Sequence, residues 1–555
     1  MQVTADFKKR INATMSTLKN TRESHWDHWR DLADFYIPRR YRSLLTNQEQ
    51  QNLSKTGGRN PRILDAAGTR AAKVLAAGMM NGITSPSRPW FKLRVPDADP
   101  NDIEIATWTE KVQELMLTTM AESNFYNALA VMYLDLAVFG SAATLIYEDE
   151  ESVIRCYNPM LGDFYFSNSA RLAVDTFARK LKMNGRQIRA RFPDGKDAWP
   201  TQMTNTPENM ERELRETHIV CHLIEPITKK IPGVPSSRKF VEYYWIEKDS
   251  KHNILERKSY DELPGMFPRW DVSGEDAYGV SPAMEAIGDV IQLQQETLSK
   301  AKGLDMMIQP PMNAGIELQT SKIAMVPNGV TFVSDVRTSG LSPVHRVQLP
   351  LGELTQDIMQ VKESIREAFH NELFNMISQL DTVRSATEID ARKEEKLVLL
   401  GPVLERFENE ALDPAINRVF GIMNRRGMLP PPPEQLQGRE LEIQYVSILS
   451  VAQKAIATAP TERFIQFLGG IAGARPDALD IPDFDTLIRD YARNIGVSAK
   501  SLLKQEDVEQ ARAARAEQQQ MAQVAELGGQ AAQAAKVASE TEVGGGRSVL
   551  NEIIG

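Results

Sequence analysis

Two cysteines, Cys156 and Cys221, are all that 555 residues contain, so a disulfide framework is excluded and a reducing compartment is expected. The first residues, MQVTADFKKRIN, hold no apolar core, so no secretory leader is expected there. Long apolar runs are scarce. The single imitation of a membrane span covers 128–147, and Asp135 sits near its middle while Gly140 and Ser141 interrupt it. A lone carboxylate is costly in lipid, so the run reads as a buried helix ending near Phe139 and a buried strand over 142–147 of a soluble protein.

Catalytic signatures are missing as well. No GxxxxGK[ST] phosphate loop occurs: Gly195 and Lys196 lead to Asp197, and the glycines at 544–546 lead to Arg547. HExxH, paired CxxC and GxSxG are also absent. His218, Cys221 and His222 offer nominal metal ligands, but on a strand the two histidines share one face and Cys221 points the other way, so a sheet-facing pair without metal is the better reading. His25 and His28 lie one helical turn apart with Asp31 near, yet packing around Trp26 and Trp29 explains them more simply. The acidic run EDEE at 148–151 lacks further spaced ligands for a divalent ion and reads as a solvated hairpin turn. No catalytic, cofactor or metal residue is therefore assigned.

Composition is otherwise ordinary, with 42% hydrophobic and 25% charged residues, and the length allows three or four domains. Charge is uneven. Residues 1–95 hold 17 Lys and Arg against 7 Asp and Glu, although the whole chain is at −9. A basic N-terminal region on an acidic body suits different partners on different faces, or simply an uneven solvated surface. Arg39, Arg40 and Arg42 are open to phosphate, another subunit or water alike. Overall acidity argues against tight duplex binding.

What is present is mostly helix. Over 3–36, Ile11, Met15, Leu18, Trp29, Leu32 and Tyr36 can share one face. Residues 44–60 read as a loop. Further helices are predicted over 61–82, with Ile63, Leu64, Ala67, Val74, Leu75 and Met79 as core, and over 101–122. Strands are predicted near 142–147, 152–157, 163–166, 173–182, 218–225, 239–247, 254–260 and 268–271, with a short helix at 184–192. Two long helices follow. The first, 281–305, carries Met284, Ile287, Ile291 and Leu298 on a stripe. The second, 352–380, carries Leu354, Ile358, Val361, Ile365, Phe369, Leu373, Met376 and Leu380. They bracket a Pro- and Gly-punctuated insert, as a hairpin brackets its tip.

Residues 384–433 read as one amphipathic helix, broken twice. Ser385 and Glu388 fit a capping box at its start. Gly401-Pro402 and Asp413-Pro414 each remove a backbone donor, so a kink is expected at both. Gly427 and four consecutive prolines end it. Beyond lie a strand-like stretch over 440–447, short helices over 448–506, an Ala- and Gln-rich helical end over 507–540 and a flexible tail over 541–555.

Several pieces of this chain resemble the head-to-tail connecting (portal) proteins of short-tailed, T7-like bacteriophages, in that family's order. They are AAGTRAAKVLAAGMMNGITSPSRPWFKL at 66–93, LDLAVFGSAATLIYEDEE at 134–151, YGVSPAMEAIGDVIQLQQETLSKAKGLDMMIQPP at 278–311, RSATEIDARKEE at 384–395 and GPVLERFENEALDPAINRVFGIMNRRGMLPPPP at 401–433. The resemblance covers about 10–470; the end beyond about 500 is this protein's own. It implies an α+β, mainly helical portal fold, with a strand-rich wing, a small α/β clip, long stem helices and a helical crown. It further implies a ring-shaped homo-oligomer, usually a dodecamer, at one capsid vertex of the virion, assembled in the host bacterial cytoplasm. Its implied work is to pass double-stranded DNA during packaging and ejection, with no enzyme activity, no cofactor and no membrane. Implied partners are the major capsid and scaffolding proteins, the terminase large subunit, and the tail adaptor and tail tube proteins.

Carried onto this chain, 1–277 becomes N-terminal helices and wing, 278–305 and 352–380 stem helices, and 306–351 clip. Residues 381–387 become the channel loop, 388–447 the kinked helix and wing return, 448–506 the crown, and 507–555 the C-terminal helix and tail. Loop candidates toward DNA are Gln379, Asp381, Thr382, Arg384 and Ser385; Arg384 is a transient phosphate contact or an intersubunit ion pair. Candidate channel-lining stem residues are Glu353, Asp357, Lys362, Glu363, Arg366 and Glu367. Acids outnumber bases on both stem helices, four to two over 281–305 and five to two over 352–380. Repeated around a ring, such a wall repels DNA and lets it slide. A packaging ATPase or nuclease would need a phosphate loop or a spaced carboxylate cluster. A membrane-associated assembly protein would rest on 128–147 alone.

Overall fold

The computed structural model describes residues 5–38, 40, 44, 62–96, 103–193, 211–247 apart from 213, 254–310, 312–313, 342–343, 350–379, 400–436, 441–446, 464–471, 475, 481–494 and 505–540. Two compact units divide the chain. The first takes Met1–Leu93, Lys111–Pro431 and Ile443–Ala457; the second takes Arg94–Glu110, Pro432–Glu442 and Thr458–Gly555. Helix and sheet are mixed, an α+β architecture.

Where the sequence predicts one helix over 3–36 there are two, α1 (Ala5–Glu23) and α2 (Trp26–Tyr36). The chain turns at Ser24 and His25, so the expected common stripe splits. Ile11 and Leu18 enter a sheet core, whereas Trp29, Leu32 and Tyr36 are buried by α2 elsewhere. His25 lies against the rings of Trp29, at 5.4 Å, and Tyr278, at 5.3 Å. The next helix, α3 (Ala67–Gly82), starts later than the expected 61, where the Asp65 carboxylate accepts the Ala67 N–H at 2.9 Å. Leu64, expected in the core, is 48% exposed.

After β1 (Phe91–Arg94) come α4 (Ile103–Glu122) and α5 (Phe125–Phe139). Helix α5 ends as expected, at Gly140, whose φ of 70° belongs to the left-handed region that glycine enters without a Cβ clash. The apolar run is thus a buried helix followed by a strand, and its Asp135 is met by Arg40 at 2.7 Å. Among the described residues no helix is long and apolar enough to cross a membrane. Strands β2 (Thr144–Asp149) and β3 (Val153–Tyr157) form the hairpin around the acidic turn, where Asp149 accepts from the Ser152 N–H at 3.0 Å.

Strand β4 (Phe164–Asn168) leads to β5 (Val174–Asn184), whose last residue shares a capping box with Gln187 at the start of α6 (Gly185–Arg191). With β6 (Thr217–Pro226), β7 (Phe240–Ile246) and β8 (Ile254–Tyr260) these strands make an antiparallel sheet in sequence order. Alternation sends Cys221, Leu223 and Tyr243 to the face that α1 covers, and Val220 and Tyr244 to the face that α6 covers. His222 is fully buried on the second face. It accepts at Nδ1 from the Arg179 Nε–H at 3.0 Å and meets Glu242 through Nε2 at 2.7 Å, which fixes a neutral ring with its proton on Nε2. No strand forms at the expected 268–271: β9 (Gly265–Met266) ends before it, and isolated bridges link Ser141 to Arg269 and Asp271 to Val280.

Helix α7 (Pro282–Ile308) is followed by the two-residue ribbon of β10 (Met312–Asn313) and β11 (Ser342–Pro343) and then by α8 (Leu351–Ala368), which packs back on α7. Most of the insert over 306–351 lies outside the described residues. The buried stripe of α7 is Ala283, Ala286, Val290 and Leu293, with Gln294. That is offset from the expected one, and Leu298 is 42% exposed. That face packs against α2 and α5, which decides which stripe of α7 is covered.

The helix expected over 352–380 is broken. His370 adopts a φ of 50°, and α9 (Asn371–Gln379) continues in a new direction. Phe374 of α9 lies on Gly78 of α3, where a Cβ would come within 2.4 Å of the ring, so the packing of α9 on α3 decides the break. Residues 380–399, with the capping box at Ser385 and Glu388, lie outside the described residues. Helix α10 (Gly401–Phe407) passes through a π-helical turn, Glu408–Leu412, into α11 (Asp413–Arg425). Gly427, with φ of 66°, ends it, and the Met428 N–H reaches back to the Met423 carbonyl at 3.0 Å. Strand β12 (Glu442–Tyr445) pairs with β1.

In the second unit, Val95, Ile105 and Leu436 form a small core. There α12 (Phe484–Asn494) and α13 (Gln505–Glu540) are tied by Arg512, which donates to both oxygens of Asp485 at 2.6 and 2.7 Å.

Candidate functional site

The hairpin of α7 and α8 is the candidate site, and its root is built from two glycines and two serines. Gly140 ends α5 and Gly279 precedes α7. A Cβ on Gly140 would stand 2.4 Å from the Gly279 carbonyl oxygen, and one on Gly279 would stand 2.3 Å from that of Gly140. The Gly279 N–H donates to the Ser141 hydroxyl at 2.8 Å. Ser281 donates to the Val138 carbonyl at 2.7 Å and accepts the Met284 N–H at 3.1 Å, so one hydroxyl both caps α7 and ties it to α5. Pro282 fits the first turn, where its missing N–H costs nothing.

Higher on α7, the Tyr36 hydroxyl donates to the Ala283 carbonyl at 3.1 Å. The Gln294 side chain accepts the N–H groups of Leu64 and Asp65 at 2.8 and 2.9 Å and donates back to the Asp65 carbonyl at 2.9 Å. Asp65 in turn holds Lys362 of α8 at 2.6 Å, and Lys300 of α7 donates to Thr355 of α8 at 3.1 Å. The hairpin is thereby clamped to the segment entering α3.

Of the stem candidates, Glu353, Asp357, Arg366 and Glu367 are exposed, and Arg366 pairs with Glu363 at 3.0 Å. Lys362 is drawn to Asp65 instead. What the exposed side of α8 offers is therefore mainly negative. Gln379 ends α9, and Asp381, Thr382, Arg384 and Ser385 lie outside the described residues.

The proline positions have distinct surroundings. Gly401 and Pro402 open α10, with nothing described before Leu400 to bend against. Pro414 stands in the first turn of α11, just after the π-turn. A residue with an N–H at 414 would bond the carbonyl four residues back, at Glu410; that carbonyl instead accepts the Phe267 N–H at 3.3 Å. The Glu410 carboxylate accepts the Arg269 N–H at 3.0 Å and its Nε–H at 3.2 Å. Arg269 also donates to the carbonyls of Leu172 and Asp276, at 2.6 and 3.0 Å. This buried junction escapes sequence reading, since Glu410 lies in the recognised piece at 401–433 but nothing local links it to Arg269, 141 positions away. The glycine–serine root left a trace: FGS and YGVS both occur in the recognised pieces.

Residues 8–503 match the family of bacteriophage head to tail connecting proteins. The chain belongs to that family. It is similar to the portal protein of Salmonella phage epsilon15, at 38% identity over 512 residues, 91% of this chain and 90% of that one. It is likewise similar to the probable portal protein of Bordetella phage BPP-1, at 36% identity over 511 residues, again 91% and 90% of the two chains. As a head to tail connecting protein it is a structural component of a phage particle. The glycine root, the α7–α8 hairpin and the π-turn all fall inside the matched span.

Proposed function

We propose that this connecting protein is the portal: a closed ring, of twelve subunits, at one capsid vertex, through which double-stranded DNA enters during packaging and leaves at ejection. The observation that carries the reading is the match, along nine-tenths of the chain, to the portal protein of Salmonella phage epsilon15 and the probable portal protein of Bordetella phage BPP-1. The hairpin supports it, because α7 and α8 form a stiff element rooted at Gly140 and Gly279, with exposed Glu353, Asp357 and Glu367 along one side. Twelve copies make a channel wall that repels phosphates, so DNA slides without being gripped.

In this reading 306–351 is the clip, which receives the terminase large subunit and later the tail adaptor. The major capsid and scaffolding proteins meet the wing during assembly in the bacterial cytoplasm. Residues 379–387 enter the channel, with Arg384 as the phosphate contact. Negative-stain electron microscopy of the purified protein tests it. Rings with a central hole are expected; monomers that hydrolyse ATP would overturn it in favour of a packaging enzyme.

A further inference from the structure

On the face of the five-stranded sheet turned away from α1, strands β2, β3, β7 and β8 and helices α6 and α11 line a half-open cleft of about 500 Å³. That volume suits a small organic ligand. Nothing in the channel reading uses it.

Its deepest charge is already satisfied. Glu242 is 1% exposed and accepts hydrogen bonds from His222 at 2.7 Å, Tyr260 at 2.6 Å and Tyr244 at 3.0 Å. Arg179 stands behind His222 and supplies the countercharge. Around the rim, Glu256 pairs with Lys258, Glu148 with Arg426 and Arg238 with Asp261, each at 2.7 Å. These pairs cancel.

Two positive charges remain. Glu262 alone faces both Arg418, at 2.7 Å, and Arg425, at 2.9 Å. Arg191 has no carboxylate among the described residues; it donates to the Tyr244 hydroxyl at 3.3 Å and lies over that ring at 5.4 Å. An aromatic wall completes the cleft, where Tyr157 is 39% exposed and sits 5.9 Å from Tyr147.

We propose that this cleft binds a nucleoside phosphate. The phosphoryl dianion lies against the guanidinium of Arg191, whose planar fork matches its oxygens, and Arg425, whose two terminal nitrogens already donate to Glu262 at 3.3 and 2.9 Å, adds positive field beside it. The base stacks on Tyr157. The shared chemistry is one phosphate and one base, supplied either by a free nucleotide or by a single-stranded nucleic-acid end. The proposal does not rest on the channel reading.

Isothermal titration of the full chain at low salt tests it, with AMP, adenosine, inorganic phosphate and a short oligothymidylate as probes. AMP is expected to bind at least tenfold more tightly than adenosine or phosphate. Arg191→Ala should weaken AMP at least tenfold while lowering the thermal melt only slightly, because among the described residues that side chain forms no ion pair and donates a single long hydrogen bond, to Tyr244. Arg191→Lys should fall between, and Tyr157→Ala should weaken AMP but leave phosphate unaffected. Oligothymidylate that displaces AMP identifies a strand end as the source; failure to displace it identifies the free nucleotide. No AMP binding at millimolar concentration, or equal binding by Arg191→Ala, overturns the proposal. Saturable binding of a glutamate-rich peptide without AMP binding also overturns it and points to a protein partner.

Discussion

Gly140 and Gly279, 139 positions apart in sequence, each occupy the space that the other's Cβ would need: the two clearances to carbonyl oxygen are 2.4 and 2.3 Å. This contact sets where α7 leaves the body, and the neighbouring Ser141 and Ser281 lock it with hydrogen bonds of 2.8 and 2.7 Å.

Gly279→Ala should therefore destabilise the protein by about 1–3 kcal/mol, the usual cost of forcing an extra carbon into a closed contact. Gly140→Ala should cost about 1 kcal/mol more, since its φ of 70° is strained for alanine. Differential scanning calorimetry checks both. An unchanged melting temperature for Gly279→Ala would show that the contact yields freely.

Arg269 and Glu410 should behave as a coupled pair. Glu410→Ala leaves a guanidinium with 2% side-chain exposure short of its carboxylate, at a cost of about 3–5 kcal/mol. Glu410→Gln keeps hydrogen-bond acceptance and should cost less. Limited proteolysis and thermal melts would report the order Ala worse than Gln; equal effects would remove the charge from the explanation.

Acid should act through three buried groups, two that cost stability as pH falls and one that adds it. Burial is the largest influence on His222 and lowers its pKa to about 4 from 6.5. The unfolded chain therefore takes that proton first, and stability falls as pH drops from 6.5 to 4. For Glu242, burial opposes ionisation but hydrogen bonds from His222, Tyr147 and Tyr260 outweigh it, placing its pKa at about 2 and extending the loss below pH 4.5. Asp135 runs the other way: burial, only partly offset by Arg40, raises it to about 7, so its contribution is present below pH 3.8 and is lost as pH rises through 7. Asp135→Asn should consequently steepen the acid decline between pH 6.5 and 4, and His222→Asn should flatten it. Chemical denaturation at stepped pH measures both slopes, and parallel curves for all three proteins would contradict the assignment.

If residues 379–387 enter the channel, substitutions there should spare assembly. Arg384→Ala and Asp381→Ala are expected to form normal rings in micrographs while the DNA content of particles drops. Loss of rings in either variant would count against a channel role and for a contact between subunits.

Much of the secondary structure was legible because local physics sets it. Glycine in the left-handed region ends α5 at Gly140 and stops α11 at Gly427, and neither depends on distant neighbours. The hairpin at 148–151 and the strands of the five-stranded sheet were readable for the same reason, whereas the order of the family pieces was legible through the resemblance alone. The acidic surplus over 281–305 and 352–380 was likewise written in the chain.

Tertiary structure decided what periodicity leaves open. A stripe of apolar residues predicts a helix but not which neighbour covers it. On α7 the buried stripe is Ala283, Ala286, Val290 and Leu293, one step round the helix from the Met284, Ile287, Ile291 and Leu298 that the sequence favoured, because the neighbouring helices choose which face is covered. Helix 352–380 breaks at His370 because Phe374 finds Gly78, and helix 3–36 divides because its two halves serve different cores. The junction of Arg269 with Glu410 and the satisfied cluster around Glu242 belong to the same class. They bring together groups that are distant in sequence, and only burial makes their pairing worth its desolvation.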